Sequence, residues 1–478
     1  MSVDGVKLWS DDQVAVTDTQ LDTSRLYQLN LESEKVLCDF FEVDRIVQWI
    51  REGAYKRTAL QLPDGLLKYA YRLTSTLETK LTETKFYILA DTSYRSCCVD
   101  DVAAQHSNCD SLVHFGETCL SSTSRRVPVL YVFGRFPIQL DEFQTEVKSF
   151  VESKDLTSSR IFLLYDAVFS HCIDDLRSLL TSELPSGCQL ISCDVIQPSD
   201  DLNDANIQLG RNVPVNLRNA SDKPQHLFFV GTENSPLLSI WCMTFTCFVD
   251  FAHYSPENHK MTIDNTSTHR QLRKRLFLVE KLRDANVVGL VVGTLDLKGY
   301  REAIQRIREL CKAANKKLYV FSIGKLNEAK LSNFASDIDV FILLSCPFGI
   351  VLDSTDFYKP ILSMFEAEIA LNSAKEWFAS DGWTAEFGNF LSDTISPIDQ
   401  EKADVSLITG RVRGVQIVEN ESNNTNNQNR QVVEYSAGDY FVNRSWKGLD
   451  NDYHEDDDTT MKEGLKGLAR DYAEQSRN

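Results

Sequence analysis

The chain lacks the short motifs that announce common chemistries. GxGxxG and GxSxG are both absent, which argues against a dinucleotide-binding turn and against a hydrolase nucleophile elbow. Residues 293–299 (GTLDLKG) lack the Lys-Ser/Thr ending of a phosphate loop. HExxH is missing, and no paired carboxylates stand out among the 69 acidic residues, so no catalytic residue is assigned. No CxxC pair occurs, which removes the usual framework of a structural zinc site. Basic residues are in deficit, 50 against 69 acids for a formal charge of −19. A chain this acidic is a poor non-specific nucleic-acid binder. The opening MSVDGVKLWSDDQ has no basic stretch followed by an apolar core. No secretory leader is expected, and the expected location is cytoplasmic. The most apolar segment, 236–252 (PLLSIWCMTFTCFVDFA), is short for a membrane span and contains Asp250. A buried element is expected there, and no membrane partner.

What the chain does have is cysteine. Twelve of them in 478 residues, with no secretory leader expected, argue for reduced thiols rather than a disulfide framework. Cys38, Cys109, Cys172, Cys188, Cys193, Cys242, Cys247 and Cys311 read as structural residues. Three others each trail an apolar strand. Residues 86–90 and 111–116 read as strands with a helix at 99–106 between them. That is a βαβ unit, whose strands should be parallel neighbours. Cys98 follows the first strand by a loop, and Cys119 follows the second. Residues 340–345 (VFILLS) are another buried-strand run, and Cys346 comes next. Segments leaving the carboxyl ends of neighbouring parallel strands lie side by side. Spacing alone leaves two readings open. Either Cys98, Cys119 and Cys346 hold a [4Fe-4S] cluster with one iron left open, or they are buried structural thiols. Cys97 adjoins Cys98, and adjacent side chains diverge, so the two are not expected on one metal.

Strand and helix patterns recur in three cycles. The first has a helix at 42–51, then a strand at 58–62 turned by Pro63-Asp64-Gly65 into a helix at 66–77. Strands at 86–90, 111–116 and 129–133 follow. The second cycle has strands at 160–165, 189–192 and 227–231 and helices at 167–180 and 269–285. Arg270, Arg273, Lys274 and Arg275 on the last helix read as a solvated face. The third has strands at 287–293, 318–322 and 340–345, a helix at 301–314, and a last strand at 404–409. The expected fold is α/β, with three repeated doubly wound modules, each around a mostly parallel sheet. Their bounds are 36–155, 156–285 and 286–410, after an N-terminal arm at 1–35. The acidic tail at 411–478 is expected to be largely disordered, because 419–431 (ENESNNTNNQNRQ) has almost nothing to bury. Aromatics at 440–449 are expected to dock on the globule.

Seven segments carry a resemblance. They are LQLPDGLL (60–67), ILADTSYRSCCVDDV (88–102), LVHFGETCLS (112–121), VVGLVVGTL (287–295), FILLSCPFG (341–349), DVSLITG (404–410) and NRSWKGL (443–449). In this order they resemble the diphthamide biosynthesis protein 2 family, the eukaryotic accessory branch of the first-step enzymes of diphthamide synthesis. The resemblance implies three related α/β modules around a [4Fe-4S] cluster. It implies a complex that transfers a 3-amino-3-carboxypropyl group from S-adenosylmethionine to a histidine of translation elongation factor 2, by a radical route. The implied partners are the catalytic paralogous subunit, diphthamide biosynthesis protein 1, in a heterodimer, and a small electron-donor protein with its reductase. Carried over by motif, the ligands are the second cysteine of SCCVDD, Cys98, that of FGETCL, Cys119, and that of SCPFG, Cys346. Cys97 is the alternative to Cys98, reached by a small loop shift. Catalytic relatives take one cysteine from the middle module, whereas QLGRNVP at 208–214 has Arg211 at the comparable place. The resemblance therefore implies a subunit that supports its partner by electron relay. A metal-free scaffold and a self-sufficient transferase are the rival roles.

Overall fold

The structure, a computed structural model, describes residues 29–396 and 404–413 apart from 90–94, 125, 197–206, 214–216, 218–222, 233–234, 265–266, 325, 351–356, 376–381 and 411. The expectations for the arm before residue 29, for disorder at 419–431 and for docking at 440–449 lie outside the described residues.

Three sheets follow one another along the chain. The first contains β1 (Arg57–Gln61), β2 (Lys85–Leu89), β3 (Ser111–Phe115) and β4 (Val129–Val132), all parallel, in the order β2-β1-β3-β4. The second contains β5 (Arg160–Tyr165) and β6 (Gln189–Ser192). A short antiparallel ribbon, β7 (Ile207–Gln208) with β8 (Arg211–Asn212), interrupts the sequence. The sheet resumes with β9 (Gln225–Val230), β10 (Asp250–Ser255) and β11 (Lys260–Asp264), in the order β11-β10-β9-β5-β6. Only β11 runs antiparallel. The third contains β12 (Val287–Val292), β13 (Lys317–Ser322), β14 (Val340–Leu344) and β15 (Ile361–Ser363), all parallel, in the order β13-β12-β14-β15. Within each sheet the strands thus lie second, first, third, fourth, and the middle sheet adds an antiparallel edge. The mixed α/β fold with repeated, mostly parallel sheets matches the expectation. The recurrence is one of connectivity.

Several local expectations need correction. Strands β2 and β3 are not neighbours, because β1 lies between them. The central place goes to the strand that can be buried on both faces. Thr58, Ala59, Leu60 and Gln61 of β1 are all buried, whereas β2 leaves Ile88 40% exposed, as an edge strand can. The last strand of the third sheet is β15, not 404–409. Among the described residues, Asp404–Val405 pairs only with Val412–Arg413. At three residues, β15 is too short to show a period. The apolar segment 236–252 is buried only in part. The helix Pro236–Thr244 packs inside, but Cys247 and Val249 are exposed before β10 begins. Among the described residues, no helix is long and apolar enough to cross a membrane.

The basic helix is not simply a solvated face. In the helix Ser267–Asp284, Arg275 is buried, donates to the Ile350 carbonyl (3.0 Å) and meets Glu366 at 3.5 Å. Glu366 lies on the helix Met364–Leu371, every residue of which is buried. A charge at that contact needs a partner, and the partner is on the facing helix.

The apolar cores are shared between sheets. One cluster joins Leu60, Val113 and Val132 of the first sheet to Ile161, Leu163 and Phe228 of the second. Another joins Phe162, Leu164 and Phe229 of the second to Val288, Leu290 and Ile342 of the third, and it includes Cys97, Cys98, Cys119 and Cys346.

Candidate metal centre

Parallel strands place their following loops at one end of each sheet. Cys97 and Cys98 follow β2, Cys119 follows β3, and Cys346 follows β14. The structure brings the four together, with all sulfurs within 4.8 Å of one another. The Cys97 sulfur lies 3.9 Å from that of Cys98 and 3.9 Å from that of Cys346. All four residues are buried.

Each loop is held by specific bonds. Cys98 N–H donates to the Arg95 carbonyl (3.0 Å), closing a turn. Gln61, at the carboxyl end of β1, donates from Nε2 to the Cys98 carbonyl (2.7 Å) and accepts from Asp100 N–H (2.9 Å). The strand that separates β2 from β3 thus holds the loop after β2 at two points. The Cys97 carbonyl accepts from Cys119 N–H (3.2 Å) and from the Thr118 hydroxyl (3.0 Å). His114 Nε2 lies 3.0 Å from the Ser96 carbonyl, and burial pushes the imidazole pKa down to about 4, so it donates as a neutral ring. The Asp100 side chain caps the next helix by accepting from Ala103 N–H (2.8 Å).

The third sheet is fastened to the first beside the sulfurs. Thr123 and Leu297 form an antiparallel bridge, and Lys298 N–H donates to the Ser122 carbonyl (2.9 Å). Arg126 approaches both Asp101 (3.7 Å) and Asp296 (3.8 Å). The cavity left between Cys97, Cys98, Cys119, Thr123, Asp296 and Leu297 is about 10 Å³. Gly349 lies over the same end, and a Cβ there would come within 2.2 Å of the Ser345 hydroxyl and 3.3 Å of Arg95 Nε.

Three of the thiols are perturbed by their sulfur neighbours. Hydrogen bonds from Cys119, Cys97 and Cys98, with the positive charge of Arg95, hold the Cys346 thiol well below its usual range. Those to Cys119 and Cys346 push the Cys97 and Cys98 thiols well up. Asp296 lines the cavity, and burial pushes its carboxyl up to about 9, with a hydrogen bond and the charge of Asp101 adding to the effect. Such a carboxyl stays protonated in the folded chain while the unfolded chain ionises above pH ~4. Its contribution to stability is complete below that pH and is lost as the pH rises towards about 9. Asp296→Asn in the metal-free chain is therefore expected to flatten the fall in urea midpoint between pH 5 and pH 9.

Arg211 is fully buried. It donates to the Tyr165 carbonyl (3.1 Å) and lies in the field of Glu117 and Asp166. Burial first, then the charge of Asp166, raises the Glu117 carboxyl to about 8. A guanidinium offers no lone pair to a metal, so residue 211 contributes no ligand. The ribbon that carries it nevertheless abuts the site. Gly210 has φ +64°, and a Cβ there would stand 2.3 Å from Leu120 Cβ, next to Cys119. Gly210→Ala should cost about 1–2 kcal/mol from the left-handed backbone alone, and more from the overlap, as read by urea unfolding.

Of the sequence candidates, Cys98, Cys119 and Cys346 lie together in this group. Cys97, expected to point away, points in. The CC pair was the signal for it, but the turn at 95–98 sends both sulfurs the same way, which spacing does not show. The other cysteines lie outside the group, and Cys247 is exposed rather than packed. The group is sulfur throughout, and four thiols with an apolar surround match the donor chemistry that holds iron–sulfur clusters.

Comparison with known proteins agrees with this geometry. The family model described as "Putative diphthamide synthesis protein" matches residues 62–382. The 2-(3-amino-3-carboxypropyl)histidine synthase subunit 2 of Caenorhabditis elegans is 46% identical over 450 residues, 92% of each chain. Its counterpart in Xenopus laevis is 35% identical, over 94% of this chain and 95% of its own. Two crystal structures of Dph2 from Pyrococcus horikoshii, one of them with a 4Fe-4S cluster, share the fold at 20% identity. Their TM-scores are 0.54 and 0.53, over 72% of this chain and 93% and 95% of theirs. A family model over residues 62–382 and relatives matched along nearly their whole length lead to one conclusion: the chain belongs to the diphthamide synthesis protein family.

Proposed function

We propose that this chain is the iron–sulfur subunit of the complex that carries out the first step of diphthamide synthesis. In that step a 3-amino-3-carboxypropyl group passes from S-adenosylmethionine to a histidine of translation elongation factor 2. The observation that carries the reading is the meeting of thiols from two different sheets at one buried point. Cys98, Cys119 and Cys346 would hold a [4Fe-4S] cluster, which supplies one-electron chemistry when bound. Gln61 and Thr118 fix the loops, and Arg95 offers positive charge beside Cys346. The sulfurs are buried and belong to the apolar core shared by the second and third sheets.

The role proposed is electron relay to a catalytic paralogous subunit in a heterodimer, fed by a small electron-donor protein and its reductase. Two features support relay over catalysis. Residue 211 is a buried arginine, so the middle sheet offers no sulfur there. The cover over the sulfurs is also thin, since Ser96, Ser122 and Ser124 are exposed while Cys97, Cys98 and Cys119 beside them in sequence are buried. The cytoplasm, where thiols stay reduced, is the compartment proposed.

The test is anaerobic turnover of elongation factor 2 with S-adenosylmethionine and limiting reductant. Modification is expected with both subunits present and none with this chain alone. Turnover by the isolated chain would make it an enzyme in its own right. Full activity of a heterodimer carrying Cys98→Ala, Cys119→Ala and Cys346→Ala together would reduce the chain to a metal-free scaffold.

A further inference from the structure

Three thiolates leave one iron of a four-iron cluster without a protein ligand, and that is where a substrate group can bind. The fourth thiol, Cys97, changes the count. Its sulfur is as close to Cys98 and Cys346 as one sulfur sits to another in contact, 3.9 Å in both cases. It is 5% exposed, the same as Cys98. Ser96, one residue earlier, is exposed, so the loop could have turned Cys97 outward. It does not, because the Cys97 carbonyl is taken by Cys119 N–H, the Thr118 hydroxyl and the Cys119 thiol (3.4 Å).

The surroundings agree. Thr123, Asp296 and Leu297 line the space beside Cys97, Cys98 and Cys119, so the first and third sheets meet over that side of the sulfurs. There the Thr123–Leu297 bridge and the Lys298 N–H to Ser122 bond join the two sheets.

We infer that Cys97 is a fourth thiolate ligand, so that Cys97, Cys98, Cys119 and Cys346 each take one iron and none is left open to substrate. This inference rests on the proposed function above and sharpens it. The subunit can pass electrons but cannot bind S-adenosylmethionine through iron.

An open iron is labile to mild oxidation. With ferricyanide accepting the electron, [4Fe-4S]²⁺ gives [3Fe-4S]⁺, Fe²⁺ and one electron, and the three-iron product has its own paramagnetic resonance signal in the oxidised state. The experiment uses the full chain, reconstituted anaerobically, as wild type, Cys97→Ala, Cys97→Ser and Cys98→Ala. Iron and sulfide are measured before and after ferricyanide, and resonance spectra of the reduced protein are taken with and without S-adenosylmethionine. The wild type is expected to keep about four irons and an unchanged spectrum. Both Cys97 variants and Cys98→Ala are expected to load a cluster that drops to about three irons on oxidation. Two results would overturn the inference. One is a wild type that loses iron as readily as Cys97→Ala. The other is Cys98→Ala behaving as wild type while Cys97→Ala and Cys97→Ser, folded by circular dichroism, load nothing, for then Cys97 serves in place of Cys98. A wild type that takes up no iron at all would instead sink the proposed function itself.

Discussion

Cys346→Ser should remove more than half of the iron that the chain takes up on anaerobic reconstitution, and most of the brown colour with it. Cys97, Cys98 and Cys119 all come from loops of the first sheet, and Cys346 alone reaches the group from the third. Its loss leaves the remaining sulfurs on one side of the centre. A ligand that binds only the folded chain also stabilises it by mass action. The rise in melting temperature between metal-free and reconstituted protein should therefore shrink in Cys346→Ser to a small fraction of the wild-type value. Cys109→Ser, a buried thiol of the first sheet's core outside the group, is the control and should retain both iron and the thermal shift. Equal iron in Cys346→Ser and wild type would mean that the third sheet plays no part in the centre.

Glu368→Ala should unfold the chain about 3–5 kcal/mol more easily, the largest single stability effect anticipated outside the thiols. Glu368 is fully buried and receives Arg306 Nε (3.1 Å) and a second guanidinium nitrogen. Arg306 is buried as well. Asn372 donates to the same carboxylate, and Arg306 also donates to the Asp393 carbonyl. Removing the carboxylate strands a guanidinium away from water, whereas removing both charges does not. Arg306→Met with Glu368→Leu should recover much of the loss. Urea denaturation of the single and double variants decides this. A Glu368→Ala change under about 1 kcal/mol would mean that water reaches the site. The pair links the helices Tyr300–Ala313 and Met364–Leu371, and the second of them packs beside β14, the strand that precedes Cys346. Iron uptake at low temperature should survive the substitution as long as the chain is folded.

Local pattern and position carried a good deal of this protein. Apolar runs such as Leu227–Val230 and Phe341–Leu344 are buried along their whole length, and a continuous apolar run between turn residues is legible without neighbours. That three cysteines trail such strands was legible too, since parallel strands deliver their loops to one end. Other features depend on contacts between residues far apart. Whether β1 lies between β2 and β3 is decided by which strand can be buried on both faces, and that is a property of the assembled sheet. Arg275 reads as a surface charge until the facing helix supplies Glu366. Cys97 and Cys98 look as if they must diverge, because side-chain direction along a loop follows its turn. Here the turn is set by Gln61 and Thr118, 37 and 21 residues away. The order of residues marked the long buried strands and the thiols that trail them, though not the short strand β15. Only the folded chain decided that a fourth sulfur joins the other three, since that depends on hydrogen bonds between distant loops, which no spacing encodes.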